Sequence, residues 1–213
     1  MISSEAEARD WLRTLPEGGD AAMARLERLV AMLRTENDRQ NLVSSASLID
    51  VWQRHIADSA QLLNFVPRET CSTWLDLGTG AGFPGLVIAA LRPECTVTMV
   101  ESRTLRSDWL ERASTDLALD NAVIARVPIE RVETQPMGVI SARAFAPLGP
   151  LLKLSARFST DDTVWLLPKG RSARQELQSL HGWNHLFHVE QSLTDEDAGI
   201  ITGRLLGRKG RTP

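Results

Sequence analysis

Cysteine is almost absent: Cys71 and Cys95 are the only two among 213 residues, and they form neither a close pair nor a metal-ligand spacing. That argues against a disulfide framework and against a zinc knuckle, and it fits a reducing cytoplasm. Long hydrophobic runs are also missing. No apolar stretch approaches the roughly 20 residues that a membrane helix needs, and the first ten residues are polar and acidic, without the basic-then-apolar order of a signal peptide. The expectation is a cytoplasmic protein with no membrane segment. Lysine is scarce as well, since 21 of the 24 basic residues are arginine. The net charge of −3 does not announce a nucleic-acid binder. Arginine is nevertheless the side chain that grips phosphate bidentately and stacks on bases. The basic residues recur in groups: Arg103, Arg106 and Arg112; Lys169, Arg171 and Arg174; Arg204, Arg208, Lys209 and Arg211. Taken singly, each group reads as a solvated helix face or a basic tail, and only joint placement gives it another meaning. Neither an internal repeat nor a low-complexity segment is present.

With 43% apolar residues, the chain can bury a full-sized core as one catalytic domain plus an appendage. Ala22, Leu26, Leu29, Val30 and Leu33 share one face at helical spacing, with Asp20 as the expected N-cap. A further helix is expected from Ser47, as its cap, through Trp52, His55, Ile56 and Leu63 to Pro67. A shorter one fits residues 4–15. Residues 1–70 therefore read as a helical N-terminal extension. From Thr73 short apolar runs alternate with amphipathic stretches, the pattern of a parallel sheet covered by helices. Strands are expected near 73–78, 96–101, 122–127, 138–142, 162–167, 184–190 and 199–206, with helices near 84–92, 103–117, 147–158 and 171–180. Only Gln191 to Gly199 separates the last two strands, so they should pair antiparallel at the sheet edge. Residues 71–213 thus predict an α/β, Rossmann-like fold with a seven-stranded, mostly parallel sheet, an arrangement that resembles the sheet of the Rossmann-like methyltransferases.

The loop Asp76-Leu77-Gly78-Thr79-Gly80-Ala81-Gly82-Phe83-Pro84-Gly85 follows the first strand. Gly80, Gly82 and Gly85 satisfy the dinucleotide spacing, while Gly78, Gly80 and Gly82 give the alternating spacing of methyltransferases behind an acidic residue. A dinucleotide loop holds a pyrophosphate on the helix N-terminus, and a carboxylate at Asp76 opposes that anion. S-adenosyl-L-methionine (SAM) carries no phosphate, and its sulfonium and ammonium groups are cationic, so the same carboxylate suits it directly or through a water. Pro84 fits a first helical turn. Glu101 closes the second strand, where a carboxylate accepts from ribose hydroxyls under either reading. His181, His185 and His188 do not form a metal set, because Gly182 interrupts a shared helical face and no further ligand completes it. His55 reads as a helix-packing histidine.

Four separated motifs carry a resemblance. The glycine loop with Val100-Glu101-Ser102, the helix Arg54-His55-Ile56-Ala57-Asp58-Ser59, the segment Ser141-Ala142-Arg143-Ala144-Phe145-Ala146 and the turn Pro168-Lys169-Gly170 together resemble RsmG, also called GidB. This is the bacterial family of small-subunit rRNA guanine-N7 methyltransferases. The likeness covers roughly residues 37 to 180. The chain departs from the family pattern at Gln40-Asn41-Leu42-Val43 and in having Arg103 and Arg106 where lysines are common.

The resemblance implies cofactor contacts at Gly78, Phe83, Ile129, Glu130 and Arg143, beside Asp76, Gly80, Gly82 and Glu101 from the loop reading. It implies 16S rRNA or the small ribosomal subunit as partner and guanine 527 as target; a monomer is the simplest expectation for the oligomeric state. Guanine N7 has a lone pair and no proton, so no catalytic base is needed; proximity and orientation supply the acceleration. Arg143 either pairs with the methionine carboxylate, as the resemblance favours, or donates to guanine O6; a bidentate grip that includes N7 would occupy the nucleophile. Arg143, Phe145, Lys169 and Arg171 are the candidate RNA contacts. Phe83 and Phe145 read as stacking surfaces or as core, and Lys169 as a phosphate guide or a solvated turn. The alternatives left open are an NAD-dependent oxidoreductase, a non-catalytic SAM-binding interaction protein and a small-molecule methyltransferase.

Overall fold

A computed structural model describes residues 1–68 and 73–210. The expected domain junction at residues 70 and 71, Cys71 and Arg211 lie outside them. Five short apolar strands build the body of one sheet: β1 (Thr73–Leu77), β2 (Thr96–Val100), β3 (Ala122–Ala125), β4 (Val139–Ser141) and β5 (Val164–Gly170). They pair in parallel in the order β3-β2-β1-β4-β5. The central strands are buried on both faces, so they read as apolar runs, whereas β3 at the edge is only partly covered. The helices α5 (Gly85–Leu91), α6 (Thr104–Asp116), α7 (Leu148–Ser155) and α8 (Ala173–Gln178) alternate with these strands. The sequence-based fold class stands.

The far edge is more divided than the sequence pattern suggests. Residues 184–190 form two strands, β6 (Trp183–His185) and β7 (His188–Gln191), and residues 199–206 likewise split between β8 (Gly199–Gly203) and β9 (Leu205–Arg208). β8 runs antiparallel between β5 and β7, which gives the expected edge hairpin and completes seven strands, while β6 and β9 pair in a separate ribbon. The split occurs at Gly203, whose φ of +133° lies outside the strand region. β5 also continues through Pro168-Lys169-Gly170, where a turn was expected, because β8 supplies an antiparallel partner across an irregular register.

Ahead of the sheet lie α1 (Glu5–Thr14), α2 (Asp20–Asn37) and α3 (Ser45–Ile49). Gly19, not Asp20, occupies the N-cap of α2, so Asp20 sits within the first turn, where its charge suits the helix dipole. The Ser44 hydroxyl caps α3 by accepting from Ser47 N, which displaces Ser47 from the expected role. The continuous helix expected through Leu63 is instead broken at Asp50, continues as a π-helical turn over Trp52–Ala57 and then α4 (Asp58–Ala60), and ends in a 3₁₀ turn over Gln61–Phe65. π-helical turns inside helices are frequent at functional sites. Cys95 is fully buried and disulfide-bonded, where the sequence reading expected no disulfide.

One hydrophobic cluster joins the extension to the sheet: Leu26, Leu29 and Leu33 of α2 share it with Leu86, Ala89 and Ala90 of α5 and with Trp109 of α6. On the other face Leu75, Leu77, Leu151, Leu152 and Trp165 form a second cluster. Leu29 is fully buried, so Leu29→Ala is expected to lower unfolding free energy by about 2–5 kcal/mol, read from urea denaturation.

Candidate active site

The sheet order reverses between β1 and β4, and the space outside the carboxyl ends of the strands at such a point is where ligands bind. The glycine loop leaves β1 here with Gly78, Gly80 and Gly82 all at positive φ, a path that side-chained residues adopt only with strain. Pro84 is the N-cap of α5, one residue outside the helical turn expected for it. The Trp109 indole of α6 donates to Ala81 O at 3.0 Å and ties the loop to the next helix.

Asp76 lies beneath the loop. It is fully buried, and its carboxylate accepts from Ser141 Oγ on β4 at 2.7 Å and from Gly85 N at 3.0 Å. Ser141 Oγ in turn accepts from the Trp74 indole at 2.8 Å. Burial pushes the Asp76 carboxyl above its ordinary value, against the hydrogen bonds from Ser141 and Gly85 and the positive charge of Arg143. The residue thus shapes and holds the loop from below rather than reaching out over it.

Two cavities open above these strand ends. The smaller, about 290 Å³, is lined by Gly78, by Val100 and Glu101 at the end of β2, by Val127, Pro128 and Ile129 after β3, and by Phe145. Glu101 is buried; its Oε1 accepts from Arg103 N at 2.8 Å, and Arg106 stands 3.9 Å from Oε2. Ile129 is buried, whereas Glu130 beside it is exposed and does not line the cleft. The larger cavity, about 640 Å³, takes its walls from Arg54, His55 and Asp58, from Arg143 to Pro147, from Pro168 to Gly170, and from Ser192, Thr194 and Asp195. Ala144 and Phe145 belong to both cavities. The Phe145 ring rests on Gly78: a methyl group added there would lie 2.3 Å from Cδ2.

The remaining candidates separate. Phe83 is 2% exposed and stacks against the His55 ring, with centroids 5.0 Å apart. Arg143 lies over the Phe83 ring at 5.3 Å and reaches Asp58 Oδ2 at 3.3 Å and His55 Nδ1 at 3.2 Å. Lys169 is not on a solvated turn: its side chain is 7% exposed, its ammonium is 3.1 Å from Glu176, and it donates to Ala146 O. Arg171 is 83% exposed, pairs with Asp197 and lines neither cavity. Among the described residues no three His, Cys, Asp or Glu side chains converge as a metal group. His55 and Asp58, which face the larger cavity, were not singled out as site residues from sequence; the Arg-His-x-x-Asp-Ser motif was the available signal.

The family profile described as GidB, rRNA small subunit methyltransferase G, matches residues 22–196. The chain belongs to this family. Curated relatives carrying the name ribosomal RNA small subunit methyltransferase G include those of Erythrobacter litoralis, 60% identical over 96% of this chain and 98% of the relative, and of Novosphingobium aromaticivorans, 57% identical over 100% and 93%. Among solved structures, a MtNAS variant in complex with S-adenosylmethionine superimposes with a TM-score of 0.56 at 12% identity, covering 95% of this chain and 77% of that one. A putative methyltransferase, yhhF, from Escherichia coli gives 0.53 at 14% identity, over 71% and 87%. At this level of identity these last two likenesses show the α/β, Rossmann-like fold alone.

S-adenosylmethionine is the cofactor of this methyltransferase, and the residues present fit it. Within a mostly polar cleft, Val100, Val127, Pro128 and Ile129 would give apolar contacts to a base, Glu101 would give acceptors for ribose hydroxyls, and Gly78 would leave backbone beside them. Gly78→Ala is expected to weaken SAM binding about tenfold or more in calorimetry, because its φ is +63° and the methyl would drive against Phe145. Gly149→Ala, with open space around it, is the control expected to leave affinity unchanged.

Burial, and then the charges of Arg143 and Arg54, push His55 down from 6.5 to about 3. The unfolded chain therefore binds the extra proton first as pH falls, so the stability contributed by neutral His55 is present above about 6.5 and lost toward about 3. Between those values, urea-unfolding free energy is expected to fall more steeply with acid for the native chain than for His55→Asn.

Proposed function

We propose that this chain transfers the methyl group of SAM to N7 of a guanine in 16S rRNA, with guanine 527 as the position the family implies. The observation that carries the reading is the wall shared by the two cavities at Ala144 and Phe145, which sets an arginine-bordered pocket directly beside the cofactor cleft. A bound SAM supplies a methyl group made electrophilic by its sulfonium. The protein's own part is to hold two reactants in line and to exclude water, which provides most of the acceleration for a nucleophile that has no proton to lose. His55 agrees with this assignment, since its ring nitrogens are engaged by Ser47 and Arg143 rather than presented as a base.

Gly78, Glu101 and Ile129 hold the cofactor, with Asp76, Gly80 and Gly82 setting the loop and Phe83 bracing it from behind. Glu130 contributes through its backbone at most, given its exposed side chain. Arg143 serves the methionine carboxylate, and Phe145 is the stacking surface beside the target. A base must leave its stack to meet the methyl group, so a loop or a distorted segment of the small-subunit RNA is the substrate. Lys169 acts by holding the cavity wall through Glu176 and Ala146 rather than by steering phosphate, and Arg171, exposed and paired with Asp197 outside both cavities, is left as an RNA contact. Residues 1–70 act as the helical extension and residues 71–213 as the methyltransferase domain of a cytoplasmic monomer; no described helix is long and apolar enough to cross a membrane.

Incubation with small subunits and labelled SAM is expected to place one methyl group on 16S rRNA, and strand scission after borohydride and aniline treatment is expected to map it to guanine 527. Absence of transfer to both naked rRNA and assembled subunits overturns the reading. Calorimetric binding of NAD in place of SAM would revive the oxidoreductase alternative.

A further inference from the structure

We propose that His55 and Asp58 are positioning residues for the methyl donor: from the helical extension they fix the Arg143 guanidinium on the wall of the larger cavity, next in the chain to the Ala144 and Phe145 that both cavities share. This rests on the reading that Arg143 serves the donor's carboxylate. The extension then completes a binding site that the glycine loop only begins.

The geometry is closed on three sides. Arg143 Nη1 donates to Asp58 Oδ2 at 3.3 Å and to Arg54 O at 3.4 Å, while Nη2 lies 3.2 Å from His55 Nδ1. A guanidinium only donates, so Nδ1 is the acceptor and the imidazole proton resides on Nε2. That proton has a destination, for Nε2 is 3.0 Å from Ser47 Oγ, which passes its own hydrogen to Ser44 O at 3.0 Å. The cap of α3 thereby selects the tautomer that Arg143 requires. Asp58 is held as firmly, since Oδ1 accepts from Gln61 Nε2 and from Thr194 Oγ1, both at 2.9 Å. The Phe83 ring, at the end of the glycine loop, packs on His55 and lies beneath Arg143. Among the described residues, these contacts leave Nε and one Nη2 hydrogen of Arg143 available to a ligand.

His55 and Asp58 come from consecutive turns of one segment, the π-helical turn and α4. A π-turn changes the angular spacing of side chains along a helix. Here it brings both residues to the same guanidinium. A positioning role differs from a merely structural one in a measurable way: it acts on SAM affinity only through Arg143.

Full-length variants are compared by SAM calorimetry and thermal melting. His55→Ala, Asp58→Asn and Arg143→Ala are each expected to weaken SAM binding about tenfold or more, the scale of one charge-assisted hydrogen bond. The double variant His55→Ala/Arg143→Ala is expected to bind within about twofold of Arg143→Ala alone, since the two residues act as a unit. His55→Asn, whose amide oxygen accepts near the position of Nδ1, is expected to restore most of the loss. Unchanged SAM affinity in both His55→Ala and Asp58→Asn, or losses that add in the double variant, overturn the proposal. Should His55→Ala fail to fold, the nearly isosteric Asp58→Asn and its double variant with Arg143→Ala decide by the same criteria. Normal SAM binding by Arg143→Ala also overturns it, and does so without touching the methyltransferase reading if the native chain still methylates 16S rRNA.

Discussion

The Asp76 carboxylate holds together the parts on which everything else depends. Its two oxygens join β4, through Ser141, to the start of α5, through Gly85 N, and Ser141 returns the connection to Trp74 on β1. A buried carboxylate is costly unless its lone pairs are satisfied. Each hydrogen bond it accepts therefore also fixes the loop that runs over it. There is no room beside it for variation: a Cβ at Gly85 would lie 3.0 Å from Asp76 Oδ2 and 2.4 Å from Met99 Cγ. The acidic residue ahead of the glycines thus selects a ligand chiefly through the shape of the loop it supports.

From that fixed base the site grows in layers. The strand ends supply Gly78, Glu101 and Arg143, the loop after β3 supplies Ile129, and the wall at Ala144 and Phe145 divides the cofactor cleft from the larger cavity. The Arg143 side chain is bound on the far side by residues of the helical extension. This division of labour suits a reaction that needs alignment rather than proton transfer. In the proposed arrangement the rigid strand ends would place the donor, while the helical extension, packed through a shared apolar cluster, holds the Arg143 guanidinium.

Much of this was legible in the residues. The parallel sheet announced itself because strands buried on both faces cannot hide their apolar runs, and the loop did so because three alternating glycines sacrifice backbone entropy. The edge was less legible. The split of residues 184–190 and 199–206 depends on which neighbour each half can reach, and period-two alternation carries no such information. The caps of α2 and α3 were misplaced for a related reason: several polar residues near each boundary satisfy the same local rule, and nothing local announced the break at Asp50. Lys169 read as a surface charge because nothing in Pro-Lys-Gly reveals that Glu176 and a carbonyl wait to receive it.

The sequence alone determined the fold class, the position of the cofactor loop and the family, since each is written in local periodicity or in motifs of fixed order. Only the tertiary structure decided what those residues do to one another. Asp76 turned inward because Ser141 and Gly85 N converge on it, and His55 became a neutral acceptor because Ser47, Phe83 and Arg143 enclose it. Such roles are set by partners 65 or more residues away in the chain for Asp76–Ser141 and Arg143–His55, and a distance of that kind exists only after the sheet and its helices have packed.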